Sequence, residues 1–290
     1  AAAMLVGCSN GPSPAPDVRP DSGAEVALPS YSEVRAVHNE RVARLDRLWS
    51  RMSFVVRRPD PDNPERLISD QAEGNVQIQQ PRSVAISMTK LGELFFILGS
   101  NDDLYWWVDR TEKRSPVVLF GRHDLAGPRS LEWLGVNVAP LEFIDLFGIT
   151  PLPDLEEGAG AWVRSDAAGT VSAGVPSRFG YRSMVFDASD LTLLGVEMLD
   201  QSGEVLAQAQ LGRPRRVPVE GDGAPGEFMG TRIRITFPLE NVFVSVELAE
   251  QANRSLNPGV FDFDRILRSY GRNGRVYDLD AEPTQLGQGR

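Results

Sequence analysis

The chain runs to 290 residues and sets 40 acidic side chains against 30 basic ones. The resulting net charge of −10 argues against a nucleic-acid partner, which would need a concentrated basic face. A hydrophobic content of 41% and a mean hydropathy of −0.23 describe a globular body, and no apolar run approaches the roughly twenty residues of a spanning helix. The single cysteine excludes an intrachain disulfide, so stability has to come from a packed core.

That cysteine opens the chain-order reading. Leu5-Val6-Gly7-Cys8 followed by Ser9 resembles a bacterial lipobox, in which a signal peptidase cuts before a cysteine whose sulfur carries a diacylglyceryl group. Residues 1–7 then read as the end of a signal peptide and Cys8 as the lipidation site. Each buried methylene contributes about 0.8 kcal/mol, so several acyl chains hold a protein on a bilayer without a spanning segment. Residues 8–29 are rich in proline and read as a tether. At about 3.1 Å per residue it reaches roughly 60 Å from the anchor. Serine directly after the cysteine favours the outer membrane, with the body facing the periplasm.

The folded part starts at Ser30, which with Glu33 forms a capping-box signature. A helix is expected over about 31–52, because Val34, His38, Val42, Leu45, Trp49 and Met52 recur at three- and four-residue steps. His38 lies on that stripe with no second ligand at helical spacing, which marks a structural histidine. From Ser53 to Gly121 the pattern turns to short strands: 74–80, 82–90, 93–98, 104–109 and 115–120. Leu94 to Leu98 and Leu104 to Val108 are apolar on both faces, so either something covers the sheet on each side or one face lines an apolar cavity. Two short apolar helices are expected between Pro128 and Leu155, with starts at Ser130 and Pro140 and a stop at Gly148; they would plug or cover the sheet. Strands resume after Ala161, including a hairpin through Asp200-Gln201-Ser202-Gly203. Residues 212–230 read as a Gly/Pro-rich loop carrying the basic run Arg213-Pro214-Arg215-Arg216. A last strand pair covers 232–237 and 242–248, then Phe261-Asp262-Phe263-Asp264 reads as a strand, and the tail over 281–290 as disordered.

The stretch from Gly74 through Val76 and Ile78 to Pro81-Arg82, and the later Asn257-Pro258-Gly259-Val260-Phe261-Asp262-Phe263, resemble motifs of the lipoprotein-localisation factors, the LolA/LolB-like family. The resemblance covers most of residues 31–278. It implies an α+β fold: a strongly curved antiparallel β-sheet, an incomplete barrel, with an N-terminal helix and short helices covering its open face, as a single domain over 30–280. It also implies an apolar cavity that takes up lipid or acyl chains, a possible periplasmic carrier or other envelope protein as partner, and no cofactor. Pro81 and Arg82 are the motif-level matches. Aromatic and aliphatic residues suited to lining such a cavity are Phe95, Ile97, Tyr105, Trp107, Trp133, Phe143 and Phe147. The competing reading is a structural or scaffolding envelope lipoprotein whose half-barrel is filled solid.

Enzymatic readings find little support. The chain has two histidines, His38 and His123, and no G-x-S-x-G, H-E-x-x-H or paired C-x-x-C motif, so no catalytic or metal site is expected. Gly221 to Gly226 matches G-x-G-x-x-G, but Pro225 and the loop-like surroundings oppose a dinucleotide turn. Asp262 and Asp264, two apart on the expected strand, would share a face; solvated or helix-capping carboxylates explain them more simply than a cation site.

Overall fold

The computed structural model describes residues 28–112, 115–126, 140–155, 159–166, 169–178, 180–220 and 226–281. Cys8, most of the tether, Trp133 with the first of the two middle helices, and the tail beyond Ala281 lie outside the described residues.

Ser30 and Glu33 form the capping box: the Ser30 hydroxyl accepts from the Glu33 amide, and the Glu33 carboxylate accepts from the Ser30 amide. Helix α1 spans Tyr31–Ala43 and buries Val34, His38 and Val42. It does not run on to residue 52. From Arg47 the chain is strand β1 (Arg47–Asp60), in which Leu48, Ser50 and Met52 are buried and their neighbours are more exposed. The three- and four-residue spacing of Leu45, Trp49 and Met52 imitates a helical stripe, but two strand partners satisfy this backbone instead. The last helical carbonyls are also met from outside, because the Asn253 amide donates to Arg44 O and the Gln80 amide to Val42 O.

Strands β2 (Asn63–Gln79), β3 (Ser83–Lys90), β4 (Glu93–Ser100), β5 (Leu104–Asp109) and β6 (Val117–Arg122) follow as a meander. After helix α2 (Pro140–Asp145) a second meander runs through β7 (Trp162–Asp166), β8 (Thr170–Pro176), β9 (Gly180–Asp187), β10 (Leu193–Asp200), β11 (Val205–Val217), β12 (Glu227–Phe237) and β13 (Val242–Asn253). A short helix α3 (Phe263–Ile266) and strand β14 (Arg275–Asp278) end the described chain. The fourteen strands among the described residues form one sheet in the order β14-β6-β5-β4-β3-β2-β1-β13-β12-β11-β10-β9-β8-β7, so the two meanders join where β1 pairs with β13. Only β14 is parallel to its neighbour. Strands β14 and β7 remain edges, so the barrel does not close.

The sheet curls around one core. Val84 and Ile86 of β3, Val244 and Val246 of β13, and Ala173 and Val175 of β8 belong to the same buried cluster as Val34 of α1 and Leu146 and Phe147 beyond α2. Distant strands share one core only if the inner face is concave. The non-alternating strand β5 is covered on both sides, as one of the two readings of its pattern requires. Tyr105 and Trp107 point inward onto Leu119, Ala126 and Leu279, while Trp106 and Val108 point outward beneath Phe263, Ile266 and Tyr270.

Two other expectations change. Strand β11 continues through Arg213-Pro214-Arg215-Arg216 to Val217, paired with β12 from Gly230 to Glu227, where a loop was expected. Beyond Gln210 it has no pairing with β10, and a proline is tolerated on such a free edge. Phe261 to Asp264 is not a strand: Asp262 caps α3 by accepting from the Arg265 amide, so Asp262 and Asp264 do not line one strand face. Most of the Gly221–Gly226 motif lies outside the described residues.

Candidate functional site

One end of the half-barrel is closed by polar side chains. The segment Gly148–Pro153, which follows α2, crosses the concave face as an extended strap whose carbonyls are taken in turn by side chains of α1 and its surroundings. Gln80 donates to Ile149 O at 2.8 Å, His38 to Thr150 O at 2.9 Å, Asn39 to Leu152 O at 2.8 Å and Tyr31 to Pro153 O at 2.8 Å. Arg182 donates to Pro151 O and pairs with Asp145 of α2 at 2.9 Å. Gly148, at φ +69°, permits the turn from helix into strap. The Thr150 carbonyl requires a proton on His38 Nε2, and Nδ1 accepts from Arg41 at 3.0 Å, so the neutral ring fits both partners. Burial, aided by the Arg41 guanidinium, pushes the His38 pKa from 6.5 down to about 3. His123 likewise bonds a backbone carbonyl, that of Asn101, and burial lowers its pKa. Both histidines hold structure.

The motif residues serve the same closure. Gln80, next to Pro81, pins the strap, and Arg82 donates to Asp102 O while its own carbonyl accepts from Ser100. A Cβ on Gly74 would lie 1.8 Å from the Ser87 carbonyl oxygen, so glycine there lets β2 and β3 approach.

At the other end no helix residue among the described ones lines the sheet, and a pocket of about 600 Å³ opens on it. Its floor is Phe54 and Val56 of β1, Ala72 of β2, Met88 of β3 and Phe96 of β4. Phe54 faces Ala72, and Met88 faces Phe96. Between Met88 and Thr89 the register slips, leaving Phe95 with no partner on β3. This bulge interrupts alternation and brings Leu94, Phe95 and Phe96 together to the pocket wall. Phe54, Val56, Met88 and Phe96 border the main core but stay half-buried. The rim carries Arg58, Asp70, Lys90, Glu93 and Arg110, and Leu91, fully exposed at φ +54°, stands at the mouth.

Of the aromatic and aliphatic candidates, Phe95 lines this pocket. Ile97 lies with Trp106 on the outer side, Tyr105 and Trp107 fill the satellite cluster under Leu119, and Phe147 is buried in the main core. Trp133 and the Phe143 side chain lie outside the described residues. The residues that sequence reasoning missed are Phe54, Val56, Ala72, Met88 and Phe96; a period-two pattern was available at Phe54, Val56 and Arg58 but was overshadowed by the longer aromatic runs, within which Phe95 was chosen over Phe96.

The basic run on β11 borders a second depression of about 370 Å³, where Arg213 and Arg215 meet Arg51 and Arg232. Arg51 pairs with Glu250 and Arg232 with Glu247. Among the described residues no three His, Cys, Asp or Glu side chains are grouped to hold a metal ion, and no helix is long and apolar enough to cross a membrane.

No family model matches the sequence, and no curated protein matches it. Solved structures do. A LolA superfamily protein from Nitrosomonas europaea aligns over 81% of this chain and 99% of its own, with a TM-score of 0.52 at 14% identity. A putative outer membrane lipoprotein-sorting protein domain from Vibrio parahaemolyticus aligns over 81% and 98%, with a TM-score of 0.52 at 12% identity. Both alignments cover about four-fifths of this chain, which with its N-terminal helix and one large unclosed sheet has the LolA-like fold.

Proposed function

We propose that this protein is a lipid-anchored lipoprotein of the bacterial envelope that takes a lipid, or the acyl chains of a lipoprotein, into the pocket at the open end of its half-barrel and performs no chemistry on it. The observation that carries the reading is the half-buried apolar floor of Phe54, Met88 and Phe96 in a cavity of about 600 Å³. Small-molecule pockets run from about 300 to 1,000 Å³. Covering such a floor with hydrocarbon is favourable by about 25 cal/mol per Å² of apolar surface removed from water. The likeness to a putative outer membrane lipoprotein-sorting domain supports the same role. The lipobox at Cys8 supports attachment to a membrane, the outer one by the serine that follows, and a stationary acceptor then meets a periplasmic carrier or another envelope protein.

A structural lipoprotein with a solid core accounts for the closed end, where Phe147 and the strap fill the concavity, but gives the pocket no role. The test uses the full chain with Cys8→Ser, examined by native mass spectrometry and titrated with a fluorescent fatty-acid probe. Lipid is expected to copurify and the probe to bind. Ala72→Phe, which places a ring in the pocket, is expected to weaken the probe by about tenfold or more, the equivalent of about 1.4 kcal/mol. If no lipid copurifies and no probe binds, the solid-core reading stands instead.

A further inference from the structure

An apolar floor accepts any hydrocarbon of suitable length, so the identity of the ligand's other end must be read at the rim. There the charge reverses that of the whole molecule. The chain carries −10 overall, yet three cations, Arg58, Lys90 and Arg110, stand against two carboxylates, Asp70 and Glu93, at this mouth. Arg58 and Lys90 share one partner: their side-chain nitrogens lie 3.9 Å and 3.2 Å from the two oxygens of Asp70. One carboxylate balances one of these two charges.

Arg110 is placed more firmly. Its backbone amide donates to Phe95 O at 2.7 Å, tying it to the bulge that forms the pocket wall. Its guanidinium donates to Leu94 O at 3.2 Å and lies 5.4 Å from the centroid of the Tyr270 ring. A guanidinium has five N–H donors, and no carboxylate among the described residues pairs with this one. Half-buried at the sheet margin, between the pocket wall and the outer-face ring of Tyr270, it keeps donors in a planar fork, the arrangement that suits a carboxylate or a phosphate.

We infer that the pocket selects an anionic amphiphile, its hydrocarbon on the Phe54, Met88 and Phe96 floor and its carboxylate or phosphate held by Arg110 with Arg58 and Lys90. The inference rests on the reading of the pocket as a hydrocarbon site and adds the class of head group.

The experiment displaces a bound fluorescent fatty-acid analogue from the Cys8→Ser chain with ligand pairs that share a tail and differ in charge. Dodecanoate against dodecanol tests a carboxylate, and a lysophosphatidic acid against the matching monoacylglycerol tests a phosphate. The charged member of at least one pair is expected to compete about tenfold better at low ionic strength. That ratio should shrink as salt is added, and the pair showing it identifies the source. Arg110→Gln should collapse the ratio and Arg110→Lys should restore part of it. If a variant fails to fold, the salt dependence of the wild-type ratio carries the test alone. Equal competition within both pairs overturns the inference while leaving hydrocarbon binding intact. Failure of every ligand and of the probe itself overturns the hydrocarbon reading on which it depends.

Discussion

Acidification should weaken this fold through His38. The folded protein holds the ring neutral, with Nε2 donating to Thr150 O and Nδ1 accepting from Arg41, and its pKa falls from 6.5 to about 3. Between those values the unfolded chain binds a proton that the folded chain does not, so stability is fully present above pH 6.5 and is lost as pH falls towards 3. At 1.36 kcal/mol per unit, the loss from pH 7 to pH 5 is about 2 kcal/mol. That figure depends on the ordinary value of 6.5 and hardly on the folded one, provided the latter lies well below 5. The assay is urea denaturation at the two pH values for the wild type and for His38→Gln, whose amide can still donate to Thr150 O and does not titrate. The remaining titrating groups, including His123, are common to both proteins, so the variant should lose about 2 kcal/mol less than the wild type over this interval. Unfolding free energies that fall in parallel in the two proteins would refute the account of a neutral histidine locking the strap to α1.

Three further outcomes are expected. Gly74→Ala forces a methyl against the Ser87 carbonyl, where neither backbone can yield without opening the β2–β3 ladder, and should cost about 1–3 kcal/mol in a urea titration. Trp106→Ala removes a fully buried indole that packs on Phe263 with ring centroids 5.4 Å apart; a loss of about 3–5 kcal/mol should accompany faster amide exchange over residues 263–270. Arg182→Met strands the Asp145 carboxylate and the Pro151 carbonyl, at a cost of about 3 kcal/mol, and the added change Asp145→Asn should recover part of it. Recovery of nothing would show that the ion pair does not hold α2 in place.

Much of the architecture was legible. The capping box at Ser30, the turns at Leu91-Gly92 and Asp200 to Gly203, and the meanders they separate are local events, decided by residues close in sequence. The errors fell where a distant partner decides. Residues 47–52 carry a spacing compatible with helix or strand, and pairing with both β2 and β13 selects strand. Residues 63–73 lack an apolar pattern and are drawn into β2 by their hairpin with β1. Arg213 to Arg216 look like a solvated loop, yet β12 supplies the ladder. Phe261 and Phe263 suggested a strand, but the Asp262 cap starts a helix that covers Trp106.

The candidate site divides in the same way. The apolar richness of residues 94–98 and 104–108 requires that both faces of these strands be covered or used, which is a matter of composition and period. Which side chains fill space and which line a pocket depends on where the covering elements stop. The strap over 148–153, pinned by polar side chains, closes one end of the half-barrel, so Phe147 is core, and α3 covers the outer face, so Trp106 is core with Ile97 half-buried beside it. Among the described residues no helix reaches the β1–β4 end, and Phe54, Met88, Phe95 and Phe96 line a cavity there. The sequence by itself determined antiparallel meanders behind an amphipathic helix, because hydrophobic period and turn chemistry act over a few residues, while the curvature was an expectation drawn from the family resemblance. The position of the pocket, and the arginine set at its mouth, were decided only by tertiary structure, because burial is a property of what packs across the sheet and not of the strand that bears the side chain.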